Sequence, residues 1–506
     1  MSHFPLDSQI QDNLYTVETV RDMDKAAIAE LNDGAIKLMK RAGIAAFNEL
    51  LEAFGQPSLI TVFCGAGNNA GDGYILAARA AERLLPVQVI ELAANKKLSD
   101  ETMRARQFAA QNKVSFVSFD ENIQLNEGVV VDSLLGIGYT GVLREPYKQA
   151  MELINSAGLP VLAMDVPSGL DANTGAVADT AVKADITLTF VGAKQGLFTG
   201  KGPALCGEVI YDSLDVPVNL LGGFQPAAQL LDLFELLEKI PELDADGYKN
   251  QRGHCMVIGG DHGYGGAVAM AAEASLRVGS GLTSVATQPE HVSAVLARCP
   301  EIMACGVISG QQLEPRLEKP TVLVAGPGLG RSAWSEQLLQ KAVASGLPMV
   351  LDADALNILA DGRVIREVKG HQWILTPHAA EAARLLNTTA DEIQADRFAA
   401  AQEIQQKYDA VVLLKGPGTL IATPNDTIKI CSYGNPSMAT GGMGDLLSGI
   451  IGGLLAQGLS PKHAAELGCC LHSSAADMLV SDKGCRGVAA TDILPYLHQL
   501  LNQEYT

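Results

Sequence analysis

A chain of 506 residues is too long for one ordinary hydrophobic core, so two or three domains are expected. With 47% apolar and 19% charged residues it is globular in composition; no apolar run is long enough to span a bilayer, and Met1-Ser-His-Phe-Pro-Leu-Asp-Ser lacks the basic and apolar regions of a signal peptide, so a cytoplasmic enzyme is expected. The formal net charge of -20 excludes extended contact with nucleic acid or an anionic membrane, and any phosphate must be held locally by glycine loops and a few lysines.

Residues 17–54 read as two helices, the second carrying Leu38-Met-Lys-Arg-Ala-Gly43, with apolar positions near helical spacing. Ser58-Leu-Ile-Thr-Val-Phe-Cys64 is a β-rich run that stops at Gly65. Further strand candidates are Val87–Leu92, Val114–Val117, Gly128–Ser133, Pro160–Asp165 and Asp185–Phe190, separated by helical segments. This alternation predicts a mainly parallel sheet covered by helices on both faces. Between 215 and 250 the rhythm lapses into Pro, Gly, Gln and acidic residues, and the boundary is placed near residue 222, giving domains 1–222 and 223–506. A second α/β series starts at His254-Cys-Met-Val-Ile-Gly-Gly260, with strand candidates Leu282–Ala286, Thr321–Ala325, Pro348–Asp352, Trp373–Thr376, Ala410–Lys415 and Thr419–Ala422. The halves share a class without an evident repeat.

Chemistry-bearing residues cluster at the strand ends. Cys64-Gly-Ala-Gly-Asn-Asn-Ala-Gly-Asp-Gly-Tyr74 satisfies a loose dinucleotide fingerprint, with Glu91 at about the distance of a ribose-binding acid. Two asparagines and Asp72 inside the turn are atypical for a pyrophosphate cradle, because a fixed carboxylate opposes the ligand charge. They suit oxygen coordination of a cation or polar recognition of a modified ring, though Asn and Gly also turn well on their own. Asp132 with a second glycine loop, and Asp165 with Ser168, end two more strands, so three polar loops should converge on one crevice. Gly196-Leu-Phe-Thr-Gly-Lys-Gly202 is not a phosphate loop: its spacing is one residue short and Gly202 replaces the required Ser or Thr. Of nine histidines only His3 precedes residue 254, which leaves acid–base work in the first half to Asp, Glu, Lys or Tyr. The nine cysteines show no C-x-x-C pair, so reduced buried thiols are expected rather than zinc or disulfides.

Taken together, Gly-x-Gly-Asn-Asn-x-Gly-Asp-Gly-Tyr from Gly65, Asp-x-Leu-Leu-Gly-x-Gly from Asp132 and Asp-x-Pro-Ser-Gly-Leu-Asp from Asp165 resemble the NAD(P)H-hydrate epimerase family, over residues 15–215. Ala70 stands where that family usually has glycine, which narrows the loop slightly. The resemblance implies that Asn68, Asn69, Ala70, Gly71 and Asp72, with Gly136, Ile137, Gly138, Tyr139, Thr140, Gly141 and Val142, contact the hydrated dinucleotide. It places Asp165 beside the nicotinamide end as a catalytic group, and makes Asn69, Asp132 and Ser168 the ligands of a potassium ion. Epimerisation at the hydrated C6 carbon would then be Asp-assisted, by ring opening or by loss and return of hydroxide.

In the second half, Gly259-Gly-Asp-His-Gly-Tyr-Gly-Gly-Ala267 and Val324-Ala-Gly-Pro-Gly-Leu-Gly330 are flexible loops at strand ends, and Leu351-Asp-Ala-Asp-Ala-Leu-Asn357 supplies two acids at a third. His378 and Glu381 fall on one face if a helix starts after Pro377, for substrate contact or capping rather than zinc. Leu414-Lys-Gly-Pro-Gly-Thr419 offers a cation, two glycines and a hydroxyl to a nucleotide phosphate. Asn435-Pro-Ser-Met-Ala-Thr-Gly-Gly-Met-Gly-Asp445 turns into an apolar helical run, where free N–H groups form an anion site. A carboxylate there either caps the helix or acts as a base on a hydroxyl that attacks phosphorus.

This ordered set resembles ribokinase-like phosphotransferases, and most closely the ADP- or ATP-dependent NAD(P)H-hydrate dehydratases, over residues 226–502. The resemblance implies that Lys415, Gly416, Pro417, Gly418, Thr419 and Gly444 hold the adenine nucleotide (ADP as donor, AMP as product). Ala267, Gly328, His378 and Asp445 would contact the hydrate, with Asp445 as base and Mg2+ assisting. The fold expected is α/β in two domains, Rossmann-like and doubly wound, then ribokinase-like. The partners expected are small molecules, hydrated NADH or NADPH and ADP, with no nucleic acid or membrane, in a homo-oligomer (tetramer or larger). Two other functions fit parts of the chain: a small-molecule kinase of ribokinase type fused to a nucleotide-binding domain, and a non-catalytic NAD(P)-sensing module.

Overall fold

The computed structural model describes residues 12–30, 34–92, 98–138, 143–243 and 245–502. Its two compact units change over between Gln229 and Leu230. In the first, strands β1 (Ile60–Cys64), β2 (Val87–Glu91), β3 (Ser115–Ser118), β4 (Val129–Ser133), β5 (Val161–Met164), β6 (Ile186–Phe190) and β7 (Glu208–Asp212) form a sheet in the order 3-2-1-4-5-6-7. All of its pairings are parallel.

Every residue of β1, β4, β5 and β6 is buried, which is why these strands read as continuous apolar runs rather than alternating ones. Successive side chains still point to opposite faces. Val62 and Val131 join a core with α2 (Gly34–Phe54) and α3 (Asn68–Glu82), while Phe63 and Val130 join one with α5 (Glu145–Ser156). Helices α1 (Val17–Glu30) and α4 (Asp100–Gln111) complete this unit's principal helices. Asn13-Leu14 pairs antiparallel with Ala228-Gln229, closing the unit's two ends on each other. Strand β7 was not expected from the sequence: it is a half-buried edge whose apolar residues are too few to stand out.

The strand order reverses between β1 and β4, so a crevice opens outside their carboxyl ends. Gly65 allows these ends to abut. A Cβ at that position would lie 2.0 Å from Leu134 O, an overlap no side chain tolerates.

The second unit contains β8 (His254–Ile258), β9 (Leu282–Thr287), β10 (Met303–Gly306), β11 (Val322–Ala325), β12 (Met349–Leu351), β13 (Trp373–Leu375), β14 (Val411–Leu414), β15 (Thr419–Ala422) and β16 (Ile428–Cys431). Their order is 16-15-14-13-12-11-8-9-10. Pairings from β14 to β10 are parallel, whereas β14-β15-β16 is an antiparallel meander. Strands β10, whose Ala and Gly are poor strand markers, and the short β16 were not expected.

Its helices include α6 (Gly265–Arg277), α7 (Ala353–Asp361), α8 (Ala379–Leu386), α9 (Arg397–Tyr408), α10 (Met443–Ala456) and α11 (Pro461–Lys483). Helix α10 is the central one, with 12 of its 14 residues buried. Its glycines allow close approach: a Cβ on Gly449 would lie 2.0 Å from Ala271 O of α6. No helix among the described residues is long and apolar enough to cross a membrane.

Candidate active sites

In the first unit the crevice is a cavity of about 670 Å³. The loop after β1 supplies Asn68, Asn69 and Asp72, the loop after β4 supplies Gly136, Ile137 and Gly138, and the end of β5 supplies Asp165. Helix α1 covers one side, where Arg21 donates to Ile137 O at 3.2 Å. The three expected polar loops do converge.

Asn69 lines this crevice, and Leu135 links it to Ser168 and Asp132 behind the lining. Asn69 Nδ2 donates to Leu135 O (2.9 Å), and Leu135 N donates to Ser168 Oγ (2.9 Å). Ser168 in turn donates from Oγ (2.6 Å) and N (2.8 Å) to the fully buried Asp132 carboxylate. Burial pushes Asp132 up to about 6 despite those bonds. Asn69 Oδ1 is buried and has no hydrogen-bond partner among the described residues. An unpartnered buried amide oxygen, joined through Leu135 to a hydroxyl and a carboxylate, belongs to a set of oxygen donors of the kind a hard cation takes.

Asp165 ion-pairs with Lys194, which is 1% exposed and donates also to Thr189 Oγ1 (3.1 Å) and Phe190 O (2.9 Å). Asp165 and Val191 both have left-handed backbones, φ 69° and 63°, and both line the cavity. Such strain in non-glycine residues concentrates at functional sites. Two further acids face the same space. Burial raises Asp24 to about 6, and raises Asp72 well above the usual carboxylate range with help from Asp165 and Asp24.

In the second unit, Lys415 follows β14 and its Nζ donates to Asp352 Oδ1 at 2.9 Å, with Glu381 Oε2 at 3.9 Å. Burial alone would lower the Lys415 ammonium, but these carboxylates leave it above its usual value. A Cβ built on Gly444 would lie 3.4 Å from Lys415 Nζ and 3.7 Å from Asp352 Oδ2, so the loops at 415 and 444 are neighbours. Asp445 lies in the first turn of α10, whose N-cap is Gly442, and its own carboxyl is therefore not the cap. Burial first, then Asp352, pushes Asp445 up to about 7, against the pull of Lys415.

His378 caps α8. Its Nδ1 accepts from Ala380 N (3.1 Å) and Glu381 N (3.4 Å), while Glu381 accepts from His378 N (2.9 Å). Burial and Lys415 hold the imidazole below its usual value, which keeps it neutral with the proton on Nε2. Gly328 and Ala267 form a second neighbourhood, a Cβ on Gly328 lying 3.1 Å from that of Ala267. Beneath the 415–419 loop, the fully buried Arg397 donates to Leu414 O (3.1 Å) and Lys415 O (3.4 Å), and Thr419 Oγ1 donates to Gly416 O (3.0 Å).

Some expected residues fall elsewhere. Ala70 and Gly71 are buried in α3 and absent from the cavity lining, with the Ala70 methyl in the core. Tyr139, Thr140, Gly141 and Val142 lie outside the described residues. Glu91 is no ribose ligand: its carboxylate is held by Arg106 (2.6 and 2.9 Å) and Tyr74 OH (2.7 Å). Sequence reasoning missed Asp24, Lys194 and Arg397, and noted Asp352 only as a strand-end acid. Lys194 was findable by the same strand-end rule, four residues after β6. Asp24 offered no signal beyond a carboxylate amid the buried positions of α1. Among the described residues no group of three His, Cys, Asp or Glu side chains could hold a metal ion.

Comparison with known proteins assigns a family to each unit. Residues 255–499 match the family model for NAD(P)H-hydrate dehydratase, and residues 35–196 match that for the YjeF-related protein N-terminus. A bifunctional NAD(P)H-hydrate repair enzyme of Coxiella burnetii is 45% identical over 489 residues, covering 97% of this chain and 99% of its own. The corresponding Escherichia coli enzyme is 38% identical over 501 residues, 98% of this chain and 95% of that one. A crystal structure of a ribokinase-like superfamily protein from Enterococcus faecalis superposes with a TM-score of 0.51 at 31% identity, over 55% of this chain and 96% of its own. With a Rossmann-like first unit and a ribokinase-like second one, the chain belongs to the bifunctional NAD(P)H-hydrate repair enzymes, which join an epimerase to a nucleotide-dependent dehydratase.

Proposed function

We propose that residues 1–222 interconvert the R and S hydrates of NADH and NADPH, and that residues 223–506 dehydrate the S hydrate with ADP, releasing AMP and phosphate. The carrying observation is the near-neutral carboxyl of Asp445, set at the start of α10 within electrostatic reach of Lys415 and Asp352. Lys415, Gly416, Pro417, Gly418, Thr419 and Gly444 hold the ADP phosphates. Ala267, Gly328 and His378 hold the hydrate, the His378 Nε2–H serving as donor. Asp445 removes the proton from the C6 hydroxyl as its oxygen attacks the β-phosphorus and AMP departs. The ring nitrogen then expels phosphate from C6, and loss of a proton from C5 restores the dihydronicotinamide. Mg2+ bound with the nucleotide would neutralise phosphate charge.

In the epimerase unit, Asn68, Asn69 and Asp72, with Gly136, Ile137 and Gly138, hold the dinucleotide, and Asp165 stands beside the hydrated ring. The buried, unpartnered Asn69 Oδ1 favours a potassium ion shared with Asp132 and Ser168. Free cysteines, most of them buried, suit a reducing cytoplasm. The chain assembles with itself as a tetramer or larger, and takes neither nucleic acid nor membrane as partner, given its charge of -20.

One experiment tests both halves: a mixture of hydrate epimers is supplied with ADP, Mg2+ and K+, and regained absorbance of the reduced nicotinamide is followed. Complete repair is expected. Repair that stops at the S fraction removes the epimerase, and a stable phosphorylated product in place of NAD(P)H identifies a kinase instead.

A further inference from the structure

Inversion at a carbinolamine carbon by loss and return of its oxygen needs a proton delivered to the departing hydroxyl. Asp165 is poorly placed to supply it. Its carboxylate is bound by Lys194, and all three ammonium protons of that lysine have acceptors, in Asp165, Thr189 Oγ1 and Phe190 O. Thr189 Oγ1 and Phe190 N lie 3.3 and 3.4 Å from Asp165 Oδ1 as well. Asp165 Oδ1 is thus held by three donors, which fix the carboxylate in place.

The cavity holds three other carboxyls: Asp24 of α1, Asp72 of α3 and Glu101 of α4. Asp72 belongs to the turn that carries the Asn69 cation ligand. Asp24 is independent of that turn. It sits between the buried Met23 and Ala27 on the face that α1 turns toward the cavity, within electrostatic reach of both Lys194 and Asp165.

We propose that Asp24 is the acid–base residue of the epimerase site, and that Lys194 is the positioning residue that fixes the Asp165 carboxylate across the cavity from it, with the hydrated nicotinamide ring between them. The proposal rests on the epimerase assignment above and adds residues that the motif-bearing loops do not contain.

The step balances without a co-reactant. The Asp24 carboxyl proton moves to the C6 hydroxyl oxygen, and the C6–O bond breaks with its electron pair leaving on water. The N1 lone pair forms C6=N1, and the positive charge created faces the Asp165 carboxylate. Water then adds to the opposite face, the C6=N1 pair returns to N1, the proton shed by that water passes to solvent, and Asp24 is reprotonated from solvent. Nothing is oxidised or reduced. Lys194 lowers and Asp165 raises Asp24, and the other titratable groups that share its cavity are Arg21 and Lys25 on its own helix, Asp72 from α3 and Glu101 from α4. Burial dominates them and raises Asp24 to about 6, close enough to neutrality for a proton to be given and recovered.

The test uses the full-length chain with purified R hydrate, and with S hydrate as a control for the second unit. Asp24→Asn is expected to lower kcat for R-hydrate repair about 100-fold or more, to leave its KM and S-hydrate turnover unchanged, and to abolish the loss of rate above about pH 6. Asp24→Glu should restore both rate and pH dependence. Lys194→Met should lower kcat with KM unchanged, whereas Lys194→Arg, which keeps a cation for the Asp165 carboxylate, should restore it. An Asp24→Asn variant with wild-type kcat, or with the wild-type pH profile, overturns the proposal, and so does one whose KM rises while kcat holds. If the wild-type chain leaves R hydrate unrepaired while consuming S, the epimerase assignment itself fails.

Discussion

Asp445 and Asp165 are both strand-end or helix-start aspartates, yet their surroundings assign them opposite chemistry. Asp445 is raised to about 7 by burial and by the neighbouring Asp352, so it can take a proton near neutral pH. A base works only when ionised, so S-hydrate dehydration should rise with pH through about 7. Replacing Asp352 with Asn removes a charge that opposes ionisation of Asp445, and should move that limb to lower pH; stopped-flow rates across pH 5–9 check the direction. Asp445→Asn should cost about 100-fold or more in dehydration rate. Asp165 is instead ion-paired with the buried Lys194, and its proposed part is to face the ring rather than to exchange a proton. Asp165→Asn keeps a residue that tolerates the left-handed backbone at φ 69°, so loss of R-hydrate repair with S-hydrate turnover intact would isolate the charge from the strain.

At the scale of elements, α10 decides the second site because it sets the position of Gly444 and Asp445 against Lys415. Its packing on α6 depends on the absence of a side chain at Gly449. Helix propensity favours alanine over glycine by about 1 kcal/mol, so Gly449→Ala would stabilise an isolated α10. In the folded chain the added methyl meets the Ala271 carbonyl at 2.0 Å, and the backbone of one helix must move. Overpacking of this kind costs about 1–3 kcal/mol or more. A lower Tm, with a raised KM for ADP as the 441–445 loop shifts, is the expected result; a higher Tm would show that propensity wins. Helix α8 has the opposite arrangement, since its capping box ties His378 and Glu381 together and fixes the imidazole tautomer through backbone N–H groups.

For the whole molecule, two acid sites with separate cores occupy the carboxyl ends of two separate sheets. The loops of both were legible in the sequence because their Gly, Asn and Asp residues are contiguous and sit where a strand must stop. Strand rhythm placed the two α/β units for the same reason: buried parallel strands are unbroken apolar runs. What escaped was assembled by tertiary structure. Asp24 comes from a helix before the first motif, and Lys194 matters only because Asp165 stands opposite. Arg397 reaches the 415 loop from α9, whose sequence reads as an ordinary amphipathic segment. Glu91 shows the reverse error, a suitable spacing cancelled by Arg106 and Tyr74, which the fold brings to it. The edge strand β10 was invisible because its residues carry little strand propensity.

Val191, the β-branched wall residue held at φ 63° and 2% exposed, has a consequence for how this enzyme tolerates change. Its strained backbone costs about 1–3 kcal/mol, while burying its side chain contributes about 1.5–3 kcal/mol. Glycine at this position surrenders the second quantity and relieves the first, so Val191→Gly should leave Tm nearly unchanged. Val131, fully buried in β4 without strain, has no such offset, and Val131→Gly should lower Tm by several degrees more. Thermal melts of the two variants compare the positions directly. A near-neutral melt combined with slower R-hydrate repair would make residue 191 a site where sequence drift is silent in stability and audible only in turnover.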